Sequence, residues 1–553
     1  MNVAMRKDLA CVLALLLLSG LLFGIQLGKT GLLDPDEPFY SLTAKEMLER
    51  HDPWTPTLFG QPQFEKPIFF YWVLYASFRL FGISEFSARL GPCLAGMLTV
   101  VLVYLWGRLL FRRREPAFIS AAILASAGQF IVLSRIVLTD VFLCLFVTAA
   151  LWAFSWGERS EKARPLAWHL LFVFCALGFL TKGPLGLLIP FSGITAYALS
   201  SGKARLLARL PWVSGLALFA LIGFPWYVLM VQLHGAEFVR HFFIHENVRR
   251  FFVAEHRGMD RWHFYPLVVL LGFFPWGAFV LAGIADAFSK RKRVLLPALA
   301  FLVPFIFFTF AKSKLMSYIF PMYPALALLC GHWAWKLHRA LKMGYEPSRP
   351  FLVLSFLSWG AVPSALAFST YQFAEKADLP ILAPVGVIAA VIIPLSWLAL
   401  YLFTRKNTAG AFVSILLMSL CFSAISFGWM MPKAGRAFSS QLWANDFKRL
   451  DEEHPHALWM AGKHFIRGMT FYTGAKDMGV FSSKPDGGFY TAHPVRIISD
   501  TGDFLKMDRS EFPVYFLIRG KELGHLLDGL SPELTVSVEK AASQRILVRL
   551  DHV

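Results

Sequence analysis

The stretch LACVLALLLLSGLLFGIQLG at residues 9–28, followed by DPDEP at residues 34–38, decides the fold class of this chain. About 20 mostly apolar residues suffice for a helix to span the hydrocarbon core of a bilayer. Arg6 and Lys7 precede the run, as in a secretory signal peptide, but no small-residue cleavage site follows it. We therefore predict a retained transmembrane helix, with three carboxylates where the chain leaves the membrane.

The composition extends this prediction to most of the chain. Of 553 residues, 56% are hydrophobic and 16% charged, and the mean hydropathy is +0.54. A soluble globular protein would leave too much apolar surface in water at this balance. With the first run, the apolar runs predict a mainly α polytopic membrane protein of about 13 transmembrane helices. The other runs begin near residues 90, 117, 141, 166, 185, 210, 264, 294, 317, 351, 381 and 411.

The basic residues predict the orientation in the membrane. The formal net charge is +18, and short basic runs alternate with apolar ones, as at 112–114, 203–209, 290–293 and 405–406. Cytoplasmic loops are rich in Lys and Arg, so we predict a cytoplasmic N-terminus and, with an odd helix count, a periplasmic C-terminus. Nucleic-acid binding is disfavoured because no basic run lies on a soluble domain of recognisable fold. The six cysteines all lie in apolar stretches, which argues against disulfides and a Cys-based zinc site.

The composition changes near residue 432. Polar residues increase, and short β-rich runs alternate with Gly and Asp clusters. We predict a transmembrane domain over 1–431 and a periplasmic soluble α/β domain over 432–553. The latter contains no phosphate-binding glycine loop, metal cluster or nucleophile motif. A lid or acceptor-recognition role is therefore expected for it.

Four outward segments are long or polar enough to carry chemistry: 29–88, 134–140, 234–263 and 311–316. Within the first, apolar residues recur at helical spacing over 40–51, and the apolar run 68–81 is too short to span comfortably. Two readings remain open for both segments. They are helices that lie in the membrane interface or helices that pack against the bundle.

Carboxylates in two of these segments are candidate catalytic groups. Asp34, Asp36 and Glu37 follow the first helix, where they act either as helix-capping acids in a solvated loop or as a base or metal ligand. Asp140 lies at the outer mouth of an apolar helix. A carboxylate there is costly unless it faces a polar cavity, so a functional role is the default hypothesis.

Cations in the outward loops suggest an anionic ligand. Lys66 follows Glu65, and Lys182, Lys312 and Lys314 interrupt apolar runs on the predicted outer side. A surface ion pair and snorkelling anchors are the alternatives. A phosphate at the outer leaflet would give all four lysines a function.

Histidines are dense in the loop 234–263, which suggests a metal but fits no standard zinc spacing. Hydrogen bonds at headgroup level are an equal alternative. The polar residues of this loop are His241, His245, Glu246, Arg249, Arg250, His256 and His263.

Taken in order, PDE at 35–37, FEKP at 64–67, TKG at 181–183 and AKSK at 311–314 resemble the ArnT family. These are undecaprenyl phosphate-aminoarabinose:lipid A glycosyltransferases of the GT-C fold, related to the protein O-mannosyltransferases. The resemblance runs along the whole chain. It departs from the family pattern at Glu246-Asn247, where the family has a histidine after the glutamate.

The resemblance implies a role for each matching residue. Asp36, with Glu37 beside it, and Asp140 would be the catalytic acids, and Glu65 and His256 would bind a divalent metal such as zinc. No nucleotide cofactor is implied. The donor phosphate would be bound by Lys66, Lys182, Arg249, Lys312, Lys314 and Tyr318.

The resemblance also implies the reaction. A bacterial inner-membrane enzyme, expected to be a monomer, would move 4-amino-4-deoxy-L-arabinose from undecaprenyl phosphate to lipid A, with inversion, and so confer resistance to polymyxin. The alternatives are a protein O-mannosyltransferase that uses a polyprenyl-phosphate sugar and a non-enzymatic polyprenyl-lipid transporter. The transporter is disfavoured because its polar residues would be expected near the bilayer midplane. Here they cluster at the outer ends of the apolar runs.

Overall fold

The computed structural model describes residues 3–242, 261–288, 292–376, 379–455, 457–475, 477–482, 495–499, 501–507, 511–528, 530–542 and 544–553. It is mainly helical up to residue 453. The helices of this part are α1 Val3–Gly24, α2 Asp36–Glu49, α3 Phe69–Phe81, α4 Glu85–Phe111, α5 Arg114–Ser126, α6 Gly128–Leu133, α7 Asp140–Arg159, α8 Arg164–Lys182, α9 Leu185–Ser200, α10 Arg205–Ala208, α11 Trp212–Gly223, α12 Pro225–Phe238, α13 Phe264–Gly272, α14 Gly277–Phe288, α15 Leu295–Phe310, α16 Tyr323–Lys342, α17 Arg349–Phe356, α18 Val362–Lys376, α19 Leu382–Thr404, α20 Thr408–Ile425, α21 Met431–Lys433, α22 Gly435–Phe438 and α23 Gln441–Glu453.

Among the described residues, seven helices are long and apolar enough to cross a membrane, or nine if each of two bent pairs is one span. Three shorter apolar helices, α3, α9 and α15, add to these. The predicted run from 117 is divided at Ala127 into α5 and α6, so neither piece reaches spanning length. The chain is thus a multi-pass membrane protein, and the count of thirteen spans stays a prediction.

The helices α2 and α3 form where the sequence predicts short helices between spans. In α2, the buried residues include Tyr40, Ala44 and Met47, and they join the main hydrophobic core. In α3, one face is buried around Tyr71 and Leu74, whereas Leu80 is 73% exposed. Of the two open readings, the structure favours packing against the bundle for α2.

After α23 come β3 Leu458–Gly462, α24 Ile466–Thr473, β4 Gly479–Phe481, β5 Ile497–Ile498, β6 Val514–Arg519, α25 Gly520–Leu527, β7 Leu534–Ala542 and β8 Arg545–His552. Their strands form a six-stranded mixed sheet in the order β5-β4-β3-β6-β8-β7. The first four of these are parallel, and β8 and β7 are added antiparallel. Here β1 and β2 are a two-stranded ribbon of Thr57–Leu58 and Gln61–Pro62.

Hydrophobic residues explain this sheet. Strand β6 is VYFLIR, and its first five residues are buried because apolar clusters cover both of its faces. Continuous apolar runs are typical of strands that are covered on both sides. The described residues from Leu458 onward, where this sheet begins, are therefore organised differently from the helical part before them. The domain boundary at 431 itself stays a prediction.

Candidate functional site

Asp36 and Asp140, the two aspartates that the sequence predicts to be catalytic, each begin a helix. Asp36 is the first residue of α2, and Asp140 is the first residue of α7. Carboxylates are favoured at helix N-termini because the unpaired amide groups there carry partial positive charge. Both side chains line one cavity of about 1400 Å³. The fold thus brings together two acids that are about a hundred positions apart in the sequence.

Lys182 neutralises one of these acids. Its Nζ lies 2.6 Å from Oδ1 of Asp140 and 5.3 Å from the centre of the Tyr318 ring. Lys182 is the last residue of α8, where a cation complements the helix dipole, and Gly183 ends the helix with φ +64°. Lys182 and Tyr318 both line the cavity, beside Asp140.

Glu65 and Lys66 lie in the segment before α3 and also line the cavity. The Lys66 ammonium donates to the carbonyl oxygen of Glu65 at 2.9 Å. Both side chains act electrostatically on Asp36, Glu65 unfavourably and Lys66 favourably for its charged form. The structure therefore places the predicted metal ligand and a predicted phosphate ligand near the predicted base.

Asp36 is exposed to the cavity but largely surrounded by protein. This burial raises the pKa of its carboxyl above the ordinary value of an aspartate. Arg467, on α24, opposes the shift more strongly than Lys66 does. A raised pKa is typical of a carboxylate that is poised to exchange protons.

One side of the cavity is apolar. Its residues come from α9, α13 and α15 and include Leu185, Leu188, Leu267, Leu271, Phe307 and Phe308. All three helices are apolar, and each by itself is shorter than a membrane span. The cavity can therefore hold an acyl or prenyl chain next to charged groups.

Glu37, predicted as a catalytic acid beside Asp36, does not line this cavity. It is fully buried and forms a bidentate pair with Arg89, with N–O distances of 2.9 and 2.5 Å. Its oxygens also accept from the amides of Leu33, at 2.7 Å, and Val137, at 2.9 Å. Four donors thus satisfy the carboxylate outside the cavity lining, which favours a structural role, and the catalytic role of Glu37 stays a prediction.

The two lysines of the AKSK segment do not line the cavity either, so their binding of the donor phosphate stays a prediction. Lys312 is exposed outside the cavity lining, and the Lys314 side chain is buried, with Nζ 3.3 Å from the carbonyl oxygen of Arg261. Arg249 and His256 lie outside the described residues. In the part of the chain that the structure describes, no three His, Cys, Asp or Glu side chains are grouped as a metal site requires.

Three charged residues that line the cavity were not predicted. Lys463 and Arg467 line it from the C-terminal part of the chain, and Arg261 lines it from the segment before α13. No local signal marks the first two, because they lie more than 400 positions from Asp36 and the fold alone brings them there. Arg89 was also missed, although an arginine inside an apolar run is a signal by itself.

The class of protein follows from this architecture and from the comparisons. Residues 12–242 match the family model described as dolichyl-phosphate-mannose-protein mannosyltransferase. Crystal structures of ArnT from Cupriavidus metallidurans, in the apo state and bound to undecaprenyl phosphate, share the fold. Their TM-scores are 0.77 and 0.76 at 21% and 22% identity, over 99% of this chain and 98% and 97% of theirs. The chain has the fold of a GT-C membrane glycosyltransferase.

The sequence comparison is more specific. An undecaprenyl phosphate-alpha-4-amino-4-deoxy-L-arabinose arabinosyl transferase of Pectobacterium carotovorum is 30% identical over 409 residues, which is 71% of each chain. This chain therefore belongs to the family of these arabinosyl transferases, which confirms the resemblance predicted from the sequence.

Relatives of the same name are 31% identical in Proteus mirabilis and 34% in Pseudomonas aeruginosa. They match 60% and 59% of this chain. The match covers 61% and 60% of the length of those relatives, or about three fifths.

Proposed function

We propose that this protein transfers 4-amino-4-deoxy-L-arabinose from undecaprenyl phosphate to a phosphate group of lipid A and so confers resistance to polymyxin and other cationic peptides. One observation carries the proposal. Asp36, Asp140, Lys66 and Lys182 line a single cavity with an apolar wall, in a member of this transferase family. The cavity suits a donor with a prenyl chain and a phosphate, because both chemistries are present in it.

In the proposed reaction, an acceptor phosphate oxygen attacks the anomeric carbon of the donor sugar. The bond between that carbon and the donor phosphate oxygen breaks, and undecaprenyl phosphate leaves with the electron pair. The configuration inverts because the displacement is in line. Lys66 and Lys182 offset the negative charge that grows on the leaving phosphate.

Asp36 has a different role for each kind of acceptor. A phosphate is already nucleophilic, so Asp36 positions it and the sugar for attack. A hydroxyl acceptor would need Asp36 as a general base. Asp140 holds Lys182 at the donor phosphate through their 2.6 Å contact.

The finer topology is part of the proposal. About 13 spans, a cytoplasmic N-terminus and a periplasmic α/β domain over 432–553 would place the cavity at the outer face of the inner membrane. A monomer suffices, because one chain contributes all the residues named. A reporter enzyme that works only in the periplasm should be active when it is fused after Val553. Activity of a reporter that works only in the cytoplasm would show that the C-terminus has the opposite orientation.

A divalent metal at Glu65 and His256 remains a proposal. Glu65 faces the cavity, but one carboxylate is less than a metal site needs, so no step above depends on a metal. Elemental analysis of the purified wild type and of Glu65→Gln tests it. Loss of a bound metal in the variant would support the site, and equal metal content would exclude Glu65.

Lipid and protein extracts of cells with and without the gene test the acceptor. Mass spectrometry should find aminoarabinose on lipid A only when the gene is present. The mannosyltransferase family model matched by residues 12–242 supports the alternative, a protein O-mannosyltransferase. Gene-dependent hexose on Ser or Thr of secreted proteins, with unmodified lipid A, would favour that alternative.

A further inference from the structure

The C-terminal part of the chain contributes two cations to the cavity. Lys463 precedes α24 and Arg467 lies in its first turn, so they are four positions apart, and both are half-buried. The Arg467 guanidinium lies over the Phe39 ring, 4.7 Å from its centre. Among the charged neighbours of Asp36, Arg467 acts most strongly on its carboxylate. Arg467 therefore lies close enough to the proposed catalytic residue to act on its charge, and Lys463 lines the same cavity.

The other lysines of the cavity belong to the membrane part. Lys182 is bound to Asp140 and precedes Leu185 and Leu188, which form part of the apolar wall. A prenyl chain must follow apolar surface, so the phosphate attached to it is expected at the end of this wall, near Lys182. In the proposed reaction, Lys66 and Lys182 offset the single phosphate of the donor, so the phosphate of the acceptor is a second anion that the cavity must hold.

We infer that Lys463 and Arg467 bind the phosphate of the acceptor glycolipid and present it beside Asp36. The inference rests on the proposed function and assigns one of its substrates to named residues. A guanidinium is planar and offers paired N–H donors that match phosphate oxygens. Stacking on Phe39 fixes the plane of the Arg467 guanidinium. The C-terminal part would then select a phosphorylated acceptor, whereas the membrane part binds the donor.

Steady-state kinetics of the full-length protein in liposomes test this division. Lys463→Gln and Arg467→Gln should each raise the KM for lipid A by about tenfold, the effect of losing a charge-assisted hydrogen bond. The KM for the donor should stay within error of the wild type. Arg467→Lys should raise the KM for lipid A less than Arg467→Gln does, because lysine keeps the charge but not the paired N–H donors. Lys521→Gln, an exposed lysine on α25, is the matched control and should change neither constant.

Binding without donor separates this inference from the proposed function. Lipid A and enzymatically dephosphorylated lipid A are titrated against the wild type and against the variants. The wild type should prefer the phosphorylated lipid, and Lys463→Gln and Arg467→Gln should lose the preference. That result would support the subsite even if no sugar transfer were detected. An unchanged preference, or a loss of donor binding instead, would overturn it.

Discussion

Asp36 and Glu37 are adjacent in the sequence but have different surroundings. Asp36 faces the cavity, whereas Glu37 is buried in a pair with Arg89. We expect Asp36 to act in the transfer reaction and Glu37 to stabilise the fold. Removing each charge in turn separates these two roles, because lost activity and lost stability are measured independently.

Asp36→Asn should abolish transfer while the fold and donor binding remain. The substitution keeps size but removes the charge with which Asp36 positions the reactants, and a misplacement of about 1 Å can by itself cost about 10² in rate. With a hydroxyl acceptor, the loss of the general base would cost about 10²–10⁴. Transfer by purified protein and donor binding are measured in parallel. Glu49→Gln at the far end of α2, where the carboxylate is half exposed, is the control.

The pH dependence of the same reaction adds a second readout. Burial raises the pKa of Asp36, so acidification should protonate it at a higher pH than a solvent-exposed aspartate. Where the ionised form is needed, the wild-type rate should fall on that acidic limb. Near-wild-type turnover by Asp36→Asn would instead make Asp140 the leading candidate.

Glu37→Gln should lower the stability of the protein and should not abolish sugar transfer. Breaking one side of a buried ion pair typically costs about 3–5 kcal/mol because the partner stays buried and charged. Thermal unfolding in detergent should show a lower midpoint than for Glu49→Gln, which removes only a half-exposed pair with Lys45. If Glu37→Gln unfolded at the wild-type midpoint but lost transfer activity, Glu37 would have to be a catalytic residue.

The sequence predicted several of the residues that line the cavity, together with others that lie elsewhere. Asp36, Glu65, Lys66, Asp140, Lys182 and Tyr318 were all named from it, and the structure places them around one cavity. Local pattern does not show that Glu37 lies outside this lining, because the acids at 34–37 do not reveal that Arg89 is its neighbour. Nor does it show this for Lys312 and Lys314, since charge in an outward loop does not specify which way a side chain points.

At the scale of elements, the segment before α2 is held by the last strand. The carboxylate of Asp34 accepts from Nη1 of Arg545 on β8 at 2.9 Å and from the Ser440 hydroxyl at 2.7 Å. The Asp34 amide donates to the carbonyl of Phe438 at 2.9 Å. At Gly468 on α24, a Cβ atom would lie 2.3 Å from Oδ1 of Asp34, so only glycine permits this approach. The C-terminal sheet thus fixes the loop that carries Asp36.

Arg545→Met should loosen this loop and lower both stability and transfer. The Asp34 and Arg545 side chains are 2% and 4% exposed, so the unpaired carboxylate would cost several kcal/mol. Thermal unfolding of Arg545→Met, Asp34→Asn and the double variant measures the coupling. A strong coupling is expected, and additive effects would show that the pair does not join the two parts. Lys540→Met, which breaks a more exposed pair with Asp446, is the control.

At the scale of the whole molecule, composition predicted a multi-pass mainly α membrane protein, and the long apolar helices confirm this. Hydropathy suffices for that class because lipid requires continuous apolar helices. It does not specify how runs are broken or bent, as at Ala127 and between α13 and α14, where the bend is 113°. Local pattern also could not predict that the C-terminal sheet docks on the segment before α2, because Asp34 and Arg545 are 511 positions apart.

The most direct test of the account is transfer by the purified full-length protein in liposomes that contain lipid A and undecaprenyl phosphate-aminoarabinose. Mass spectrometry of the lipids should show lipid A gaining aminoarabinose as the donor is converted to undecaprenyl phosphate, and Asp36→Asn should show neither change. Unmodified lipid A in the presence of active donor binding, or equal modification by Asp36→Asn, would contradict the account.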